Sequence, residues 1–201
     1  MPPDAKDPAI AMYEAHADTL LQRYDAVATM DILSPVLDLL PPHAPVLDIG
    51  AGSGRDAAWL VSHGHPVTAV EPVAGFRAAI VSRVPDATVV DARLPDLDGV
   101  VGPFGLILTN AVWHHLTGAQ RSASIARLSG LLAPNGRLVL SLRHGGTPEG
   151  QPVHAVDPEA EIARAVLAEL KLLRRATAPS HQPGNIAAGI TWTWLVFEKE
   201  A

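Results

Sequence analysis

A glycine loop between an apolar run and a helical segment constrains the fold more than any other feature of this sequence. The loop, residues 50–54 (GAGSG), follows the apolar residues 46–50. Residues 55–63 after it have helical spacing and end at Gly64. Glycine permits a sharp turn out of a strand and lets the backbone approach a ligand without a Cβ in the way. A strand, a glycine turn and a helix in this order are typical of nucleotide-binding α/β folds.

Strand-like and helix-like segments alternate through most of the 201 residues. Apolar strands that alternate with helices predict a parallel, doubly wound sheet covered on both faces. Residues 93–103, rich in Asp, Gly and Pro, predict a short or irregular connection between the third and fourth strands. The predicted core strands are residues 46–50, 66–71, 87–92, 104–110 and 137–142, and the predicted core helices are residues 55–63, 73–84 and 120–132.

Further elements flank this core on both sides. A turn at residues 134–136 (Pro-Asn-Gly) closes the last core helix, and Asp157 and Pro158 are typical of a helix start. The linker 179–189 is too long for a tight hairpin and can border a substrate entrance. The predicted flanking elements are helices at residues 8–29, 31–40 and about 157–170, and strands at residues 172–178 and 190–199. We expect a single domain with an N-terminal helical lid at 1–43, a core at 44–145, and a C-terminal helix with two strands at 146–201.

The composition excludes several classes of function. With 48% apolar residues the chain can form a sizeable core, and a net charge of −6 without a basic face argues against a nucleic-acid partner. The sequence has no cysteine, which excludes disulfides and thiolate zinc sites. Residues 1–7 lack the pattern of a signal peptide, and no apolar run is long enough to span a bilayer. We therefore expect a cytoplasmic monomer or homodimer with no membrane partner.

The spacing of the glycines discriminates between three ligands. A phosphate-binding loop needs Lys and then Ser or Thr after the last glycine, but Gly54 is followed by Arg55 and Asp56. A dinucleotide loop needs a glycine at its sixth position, which Arg55 occupies here. The remaining ligand is S-adenosylmethionine, which has no phosphate and whose cationic methionyl end tolerates the acidic Asp48 in the strand.

Acidic residues at the ends of the next two strands support this ligand. Glu71 ends the second predicted strand, where a carboxylate can accept hydrogen bonds from both ribose hydroxyls. Asp91 ends the third, where it can accept from an adenine amino group while the backbone N–H of Ala92 donates to a ring nitrogen. Three such features at successive strand ends predict a cofactor site more specifically than the glycine loop alone.

Four segments resemble motifs of the class I S-adenosylmethionine-dependent methyltransferases, in their small-molecule, methyltransferase type 11/12-like branch. They are residues 46–60 (motif I), 67–72 (the acidic second-strand motif), 106–116 (motif IV) and 131–138 (the turn before strand five, with Asn135 in place of one glycine). The resemblance extends over about residues 8–145. It implies a Rossmann-like, seven-stranded, mostly parallel sheet whose last strand is antiparallel and lies between the fifth and sixth, with helices on both faces.

The resemblance also implies S-adenosyl-L-methionine as cofactor, S-adenosyl-L-homocysteine as product, and a set of contacts. The loop would line the methionyl and ribose side, Asn110 would offer its carbonyl to the methionyl amine, and the lid or Arg55 would meet the methionyl carboxylate. The implied cofactor-binding residues are Tyr13, Arg23, Tyr24, Asp48, Ile49, Gly50, Ala51, Gly52, Gly54, Arg55, Glu71, Pro72, Asp91, Ala92, Asn110 and Ala111.

Methyl transfer is an in-line displacement that needs an aligned nucleophile and, for a protonated nucleophile, a base. His114 and His115 follow the fourth strand, and either can accept a proton from a hydroxyl or an amine. We favour His114 because Trp113 and Leu116 flank the pair and should point inward. The expected acceptor is a small molecule with an oxygen or nitrogen nucleophile.

Substrate contacts are less sharply indicated than cofactor contacts. Arg143 and His144 follow the fifth strand, where they can bind an anionic group or act as a base. The expected substrate residues are His16, Trp113, Arg143 and His144. Trp192 and Trp194 share one face of the last strand, which favours core packing over a substrate wall. We expect no metal site, because the His63-Gly64-His65 segment is more typical of a surface turn.

Two other functions fit parts of the pattern. A non-catalytic regulatory module can hold S-adenosylmethionine in the same loop without transferring its methyl group. A nicotinamide-dependent oxidoreductase shares the fold but needs the sixth-position glycine that Arg55 replaces.

Overall fold

The computed structural model describes residues 8–146 and 153–201. Its seven strands form one sheet in the order β3-β2-β1-β4-β5-β7-β6. The strands are β1 (Val46–Ile49), β2 (Val67–Val70), β3 (Thr88–Val90), β4 (Phe104–Thr109), β5 (Leu132–His144), β6 (Leu170–Pro179) and β7 (Thr191–Lys199). The helices are α1 (Pro8–Ala15), α2 (Ala17–Asp25), α3 (Thr29–Leu33), α4 (Arg55–Ser62), α5 (Ala74–Arg83), α6 (Gly118–Leu131), α7 (Pro158–Leu167) and α8 (Pro183–Ala187).

The strand order confirms the predicted doubly wound architecture. β1, β2, β3, β4 and β5 pair in parallel, and β7 pairs antiparallel with both β5 and β6. Apolar clusters cover both faces of the sheet, one around Ile107 and Phe197 and the other around Leu60 and Val196. The chain leaves β1 toward β2 on one side and returns to β4 on the other, which opens a crevice at the carboxyl ends of the strands.

The N-terminal helices are shorter than the sequence predicts. The helix expected over residues 8–29 is two helices, because the backbone of His16 (φ −120°, ψ 16°) leaves the helical region. The helix expected over residues 31–40 ends at Leu33, shortly before Pro35, whose ring removes a backbone donor. A 3₁₀ turn at Leu37–Leu39 follows.

Two other elements differ from the prediction in length. β5 begins at Leu132 instead of residue 137, and the expected turn at 134–136 lies inside it as a bulge. The register passes from Phe104–Leu132 to Leu106–Arg137, so extra β5 residues loop out where Asn135 has a φ of 60°. The linker between β6 and β7 contains the short helix α8, which the sequence pattern did not predict.

Two of the three predicted segments, residues 1–43 and 146–201, each include a stretch outside the described residues, namely 1–7 and 147–152. Within the described part of the chain, no helix combines the length and apolar character needed to cross a bilayer.

Candidate active site

A cavity of about 620 Å³ opens above the carboxyl ends of the parallel strands. Its floor includes Ile49 at the end of β1, Glu71 after β2 and Asn110 after β4, and the helices α1 and α2 contribute its roof. The volume is that of a typical small-molecule or cofactor site. The crevice predicted from the strand order is therefore a cavity large enough for a nucleoside-sized ligand.

The glycine loop forms one wall of the cavity with its backbone. Gly50, Gly52 and Gly54 have φ angles of 68°, 56° and 73°, in the left-handed region that favours glycine. A Cβ at Gly50 would lie 2.4 Å from a methyl carbon of Val112, and a Cβ at Gly54 would lie 3.1 Å from Ile80. Gly54 packs toward α5 and does not line the cavity, whereas the other two glycines do.

Glu71 ties the end of β2 to the glycine loop. Its Oε2 accepts a hydrogen bond from the backbone N–H of Gly52 at 2.8 Å, and its Oε1 accepts from the N–H of Val73 at 2.9 Å. The carboxyl is only 4% exposed, and this burial raises its pKa while the two N–H donors oppose the rise. The side chain lines the cavity, so a carboxyl group stands at the predicted ribose position.

Asp48 and Asp56 lie beneath the loop as a buried acidic pair. Burial first, and then the charge of Asp56, raise the pKa of Asp48 well above its ordinary value. Burial also opposes ionisation of Asp56, but Arg55, Asn110 and Thr29 bind its carboxylate, and its pKa is lowered overall. The structure places Asp48 under the cavity floor, not in its wall.

Arg55 forms a salt bridge with Asp56, one member of this acidic pair. Its Nε and Nη2 donate to the two carboxylate oxygens of Asp56, each at 2.8 Å, and its Nη1 donates to the carbonyl of Tyr24 at 2.9 Å. The guanidinium lines the cavity and connects the lid to the start of α4. These contacts indicate that Arg55 mainly positions the lid against the start of α4. It is an alternative partner for a ligand carboxylate.

Of the two residues expected to contact adenine, Asp91 and Ala92, only Ala92 lines the cavity. Ala92 lines the cavity, as do Leu94 and Pro95 after it. Asp91 does not, because its carboxylate is 66% exposed and pairs with Arg77 at 2.8 Å. In the described conformation the backbone after β3 faces the cavity and the Asp91 side chain turns to solvent.

The loop after β4 is fixed by a polar network that the sequence reasoning missed. The hydroxyl of Ser141 donates to Oδ1 of Asn110 at 3.1 Å and accepts from the backbone N–H of Ala111 at 2.7 Å. Ala111 has a φ of 59°, so this N–H is held in a turned conformation. The available signal was a single serine in the otherwise apolar run of β5, where it is fully buried. Asn110 and Ala111 both line the cavity.

Aromatic side chains close the cavity from the lid. The rings of Tyr13 and Tyr24 lie 6.2 Å and 5.9 Å from the ring of Phe76. On its other side Tyr13 Oη lies 3.0 Å from Nε2 of His115. The lid is therefore in contact with both the cofactor side and the loop after β4.

A second contact joins the lid to the β6–β7 linker. Nε of Arg23 donates to Oε1 of Gln182 at 2.9 Å, and its Nη2 donates to Oδ1 of Asn185 at 3.0 Å. All three side chains line the cavity. Because these partners lie more than 150 residues apart in sequence, no local pattern identified the contact.

The two adjacent histidines have different environments. His114 is 6% exposed, and burial, followed by the charges of His115 and Arg143, lowers its pKa to about 2. Its Nδ1 has no hydrogen-bond partner among the described residues. His115 is half-buried and presents Nε2 to the Tyr13 hydroxyl. Both rings reach the cavity wall, and burial makes His114 a very weak base.

The expected substrate residues separate into two groups. Arg143 lines the cavity, whereas Trp113 is fully buried in the core. His16 is exposed and contacts the carbonyl of Met12 at 2.9 Å, and His144 contacts the hydroxyl of Thr193 at 2.8 Å. Neither of these two histidines reaches the cavity wall.

The last strand contributes more to the cavity than expected. Trp192 and Trp194 both line it, although Trp194 also packs in the core at 3% exposure. The alternation along β7 correctly predicted that both side chains share one face of the strand. It did not predict that both line the cavity. At the opposite end of the sheet His63 stacks on Trp59 with ring centroids 4.0 Å apart. Among the described residues no group of His, Asp and Glu is arranged to hold a metal ion.

Comparison with known proteins agrees with this geometry. Residues 46–136 match the model of a family described as a methyltransferase domain. A methyltransferase of Geobacillus kaustophilus is 27% identical over 139 residues, which are 69% of this chain and 61% of that protein. One of Bacillus licheniformis is 29% identical over 97 residues, which are 48% of this chain and 46% of that protein. The chain thus matches about half to three fifths of the length of these relatives, both described as uncharacterized.

Solved structures share the fold at low sequence identity. The 1,6-didemethyltoxoflavin-N1-methyltransferase of Burkholderia thailandensis, solved with 1,6-didemethyltoxoflavin and S-adenosylhomocysteine bound, has a TM-score of 0.64 and 21% identity. That alignment covers 100% of this chain and 94% of the other. Together, these matches confirm the resemblance to a methyltransferase domain and the Rossmann-like fold that the motifs indicate.

Proposed function

We propose that this chain, in which residues 46–136 belong to the methyltransferase-domain family, is an S-adenosylmethionine-dependent methyltransferase of a small molecule. The observation that carries the proposal is the wall formed by the glycine loop and Glu71. Gly50 and Gly52 leave no side chain between backbone and cavity, and the buried carboxyl of Glu71 stands beside them. This combination suits a nucleoside with free ribose hydroxyls better than a phosphate.

The residues present fit the cofactor. Each oxygen of Glu71 accepts one backbone N–H, and a carboxylate oxygen has a second lone pair with which it can accept a ribose hydroxyl. Ala92 would meet the adenine through its backbone, and the Asn110 carbonyl would accept from the methionyl amine. Arg23 would bind the methionyl carboxylate, because its contacts with Gln182 and Asn185 leave N–H groups free. Gly54 and Asp48 lie behind the cavity wall and would support it without contacting the cofactor. Asp91, whose carboxylate turns to solvent, would not contact the cofactor in the described conformation.

His115 is the residue best placed to accept a proton from the acceptor. Burial raises the pKa of Tyr13, so its hydroxyl stays protonated at neutral pH and can donate to Nε2 of His115. This bond orients the imidazole and keeps the single lone pair of Nε2 as the acceptor, directed at the Tyr13 hydroxyl. An acceptor hydroxyl or ammonium that displaces Tyr13 from Nε2 would pass its proton to His115. The bound cofactor supplies the activated methyl group for the in-line displacement.

The comparisons support a small-molecule acceptor. The Burkholderia enzyme that shares the fold is an N1-methyltransferase solved with a small acceptor and S-adenosylhomocysteine. A cavity of about 620 Å³ that the lid already covers suits a cofactor and a small acceptor better than a macromolecule.

The test is turnover. The protein is incubated with methyl-labelled S-adenosylmethionine and a panel of small phenols, alcohols and amines, and formation of S-adenosylhomocysteine is followed by mass spectrometry. We expect turnover of at least one acceptor, and for that acceptor His115→Asn should lower kcat about 10²-fold or more. The matched control is His16→Asn, outside the cavity, which should retain activity.

Two outcomes contradict the proposal. Tight binding of S-adenosylmethionine without turnover on any acceptor favours a regulatory module. Stoichiometric binding of a nicotinamide dinucleotide without binding of S-adenosylmethionine favours an oxidoreductase. If turnover occurs but His115→Asn retains full kcat, the methyltransferase function stands and the assignment of the base is wrong.

A further inference from the structure

Two arginines of the cavity wall, Arg23 and Arg143, form no salt bridge within residues 8–146 and 153–201. Arg23 donates to the neutral side-chain oxygens of Gln182 and Asn185. Nη1 of Arg143 donates to the carbonyl of Gly146 at 2.8 Å. Neutral oxygens satisfy hydrogen bonds, but they leave both positive charges without a counter-charge from the described part of the chain.

Most other arginines of the described chain differ in this respect. The arginine ion pairs are Arg55–Asp56, Arg77–Asp91, Arg83–Asp25, Arg121–Glu161, Arg137–Glu198, Arg164–Glu161, Arg174–Asp38 and Arg175–Glu159. Arg127 donates to backbone carbonyls of the connection between β3 and β4 and does not line the cavity. Arg23, Arg93 and Arg143 line the same cavity, and of these Arg23 and Arg143 bind the neutral oxygens named above.

The environment of Arg143 penalises its positive charge. Partial burial lowers its pKa, and the nearby charge of Arg23 also lowers it. An anion bound at Arg143 would offset both effects, because a guanidinium binds a carboxylate or a phosphate through two parallel N–H donors. The arrangement therefore fits a ligand that brings a negative charge.

The position of Arg143 places this anion on the acceptor side of the cavity. Arg143 lies near the end of β5, opposite Trp192 of β7, and the Trp192 ring lies 6.1 Å from the ring of His114. The glycine loop and Glu71 lie at the other side of the switch point, at the ends of β1 and β2. The proposed partner of the methionyl carboxylate is Arg23 on the lid, which leaves Arg143 for the acceptor.

We propose that the methyl acceptor is a small organic acid, whose anionic group binds Arg143 while its nucleophile lies beside His115. The proposal rests on the methyltransferase function proposed above and adds the class of its substrate. Trp192 in the same wall offers an indole face beside the anion site, which favours a planar acid. The anion is a carboxylate or a phosphate, since both satisfy the same guanidinium.

The experiment titrates the protein saturated with S-adenosylhomocysteine with benzoate, with its neutral analogue benzamide, and with inorganic phosphate, followed by NMR and calorimetry. We expect an anion to bind at least about tenfold more tightly than benzamide. Arg143→Gln should weaken the binding of the anion about tenfold or more and leave the binding of benzamide unchanged. Arg175→Gln removes an arginine outside the cavity and should change neither.

Each outcome decides the proposal. Preference for benzoate over phosphate, lost in Arg143→Gln, supports a carboxylic acid, and the reverse preference supports a phosphorylated acceptor. Equal binding of benzoate, phosphate and benzamide, or unchanged anion binding in Arg143→Gln, overturns the acidic acceptor while bound S-adenosylhomocysteine keeps the proposed function. A protein that fails to bind S-adenosylhomocysteine overturns both, which separates the two failures.

Discussion

His114 and His115 illustrate how far two adjacent residues can differ. Burial of His114 lowers its pKa to about 2, so its imidazole is neutral throughout the useful pH range. In the unfolded chain the same group titrates near 6.5. Below that pH the unfolded state binds more protons than the folded state, so His114 makes the free energy of unfolding fall as the pH falls.

This difference leads to a prediction about stability. Between pH 7 and pH 5 the wild-type protein should lose about 2 kcal/mol of unfolding free energy through His114. His114→Phe removes the titrating group and should lose correspondingly less over the same interval, measured by urea denaturation at both pH values. His63→Phe, at an exposed position, is the control and should behave like the wild type. Identical pH dependence in His114→Phe and the wild type would mean that His114 is not buried as described.

Sequence reasoning was most effective for residues whose role is set by local geometry. Gly50 and Gly52 follow a strand and precede a helix, and Glu71 ends the next strand, so their meeting at the carboxyl edge follows from the parallel sheet alone. Residues whose role depends on distant partners were not identified in this way. The contact of Tyr13 with His115 joins residues 102 positions apart, and its existence depends on how the lid packs.

At the level of elements, side-chain hydrogen bonds join the N-terminal lid to the β6–β7 linker. α2 contacts the linker mainly through Arg23, whose partners Gln182 and Asn185 lie at and inside α8. The sequence predicted the lid and the long linker separately. It did not predict α8 or the break at His16, because both are short irregularities without a periodic signal.

Removing the contact between lid and linker should speed cofactor release. The double variant Gln182→Ala/Asn185→Ala loses two exposed hydrogen bonds to Arg23, and we expect S-adenosylhomocysteine to dissociate about three- to tenfold faster. Stopped-flow displacement measures this rate. Ile186→Ala changes an exposed side chain of the same helix, 58% accessible, and should leave the rate unchanged. If the double variant and this control release the product at the same rate, the contact does not hold the lid.

At the scale of the whole molecule, the two sides of the switch point have different proposed roles. In the proposed site, the ends of β1, β2 and β3 provide the cofactor wall, and the ends of β4, β5 and β7 provide the acceptor wall. The strand order, which the alternating pattern and the motif resemblance predicted, determines this division. The acceptor wall was harder to predict, because its residues come from loops and from the last strand, where apolar side chains also serve the core.

Calorimetric titration with S-adenosylhomocysteine measures whether the glycine loop binds S-adenosylmethionine and its product, as proposed. A side chain at Gly52 would be strained at a φ of 56°, and its Cβ would lie 3.4 Å from the Tyr24 ring. The Gly52→Val side chain should therefore occupy space beside the glycine loop that the cofactor needs. A strain of about 1–2 kcal/mol leaves a typical domain folded, which circular dichroism would verify. Gly130→Ala, at a helical site with open space, is the control. We predict one site per chain in the wild type and in Gly130→Ala, and no detectable binding in folded Gly52→Val; unchanged affinity in Gly52→Val would contradict the account.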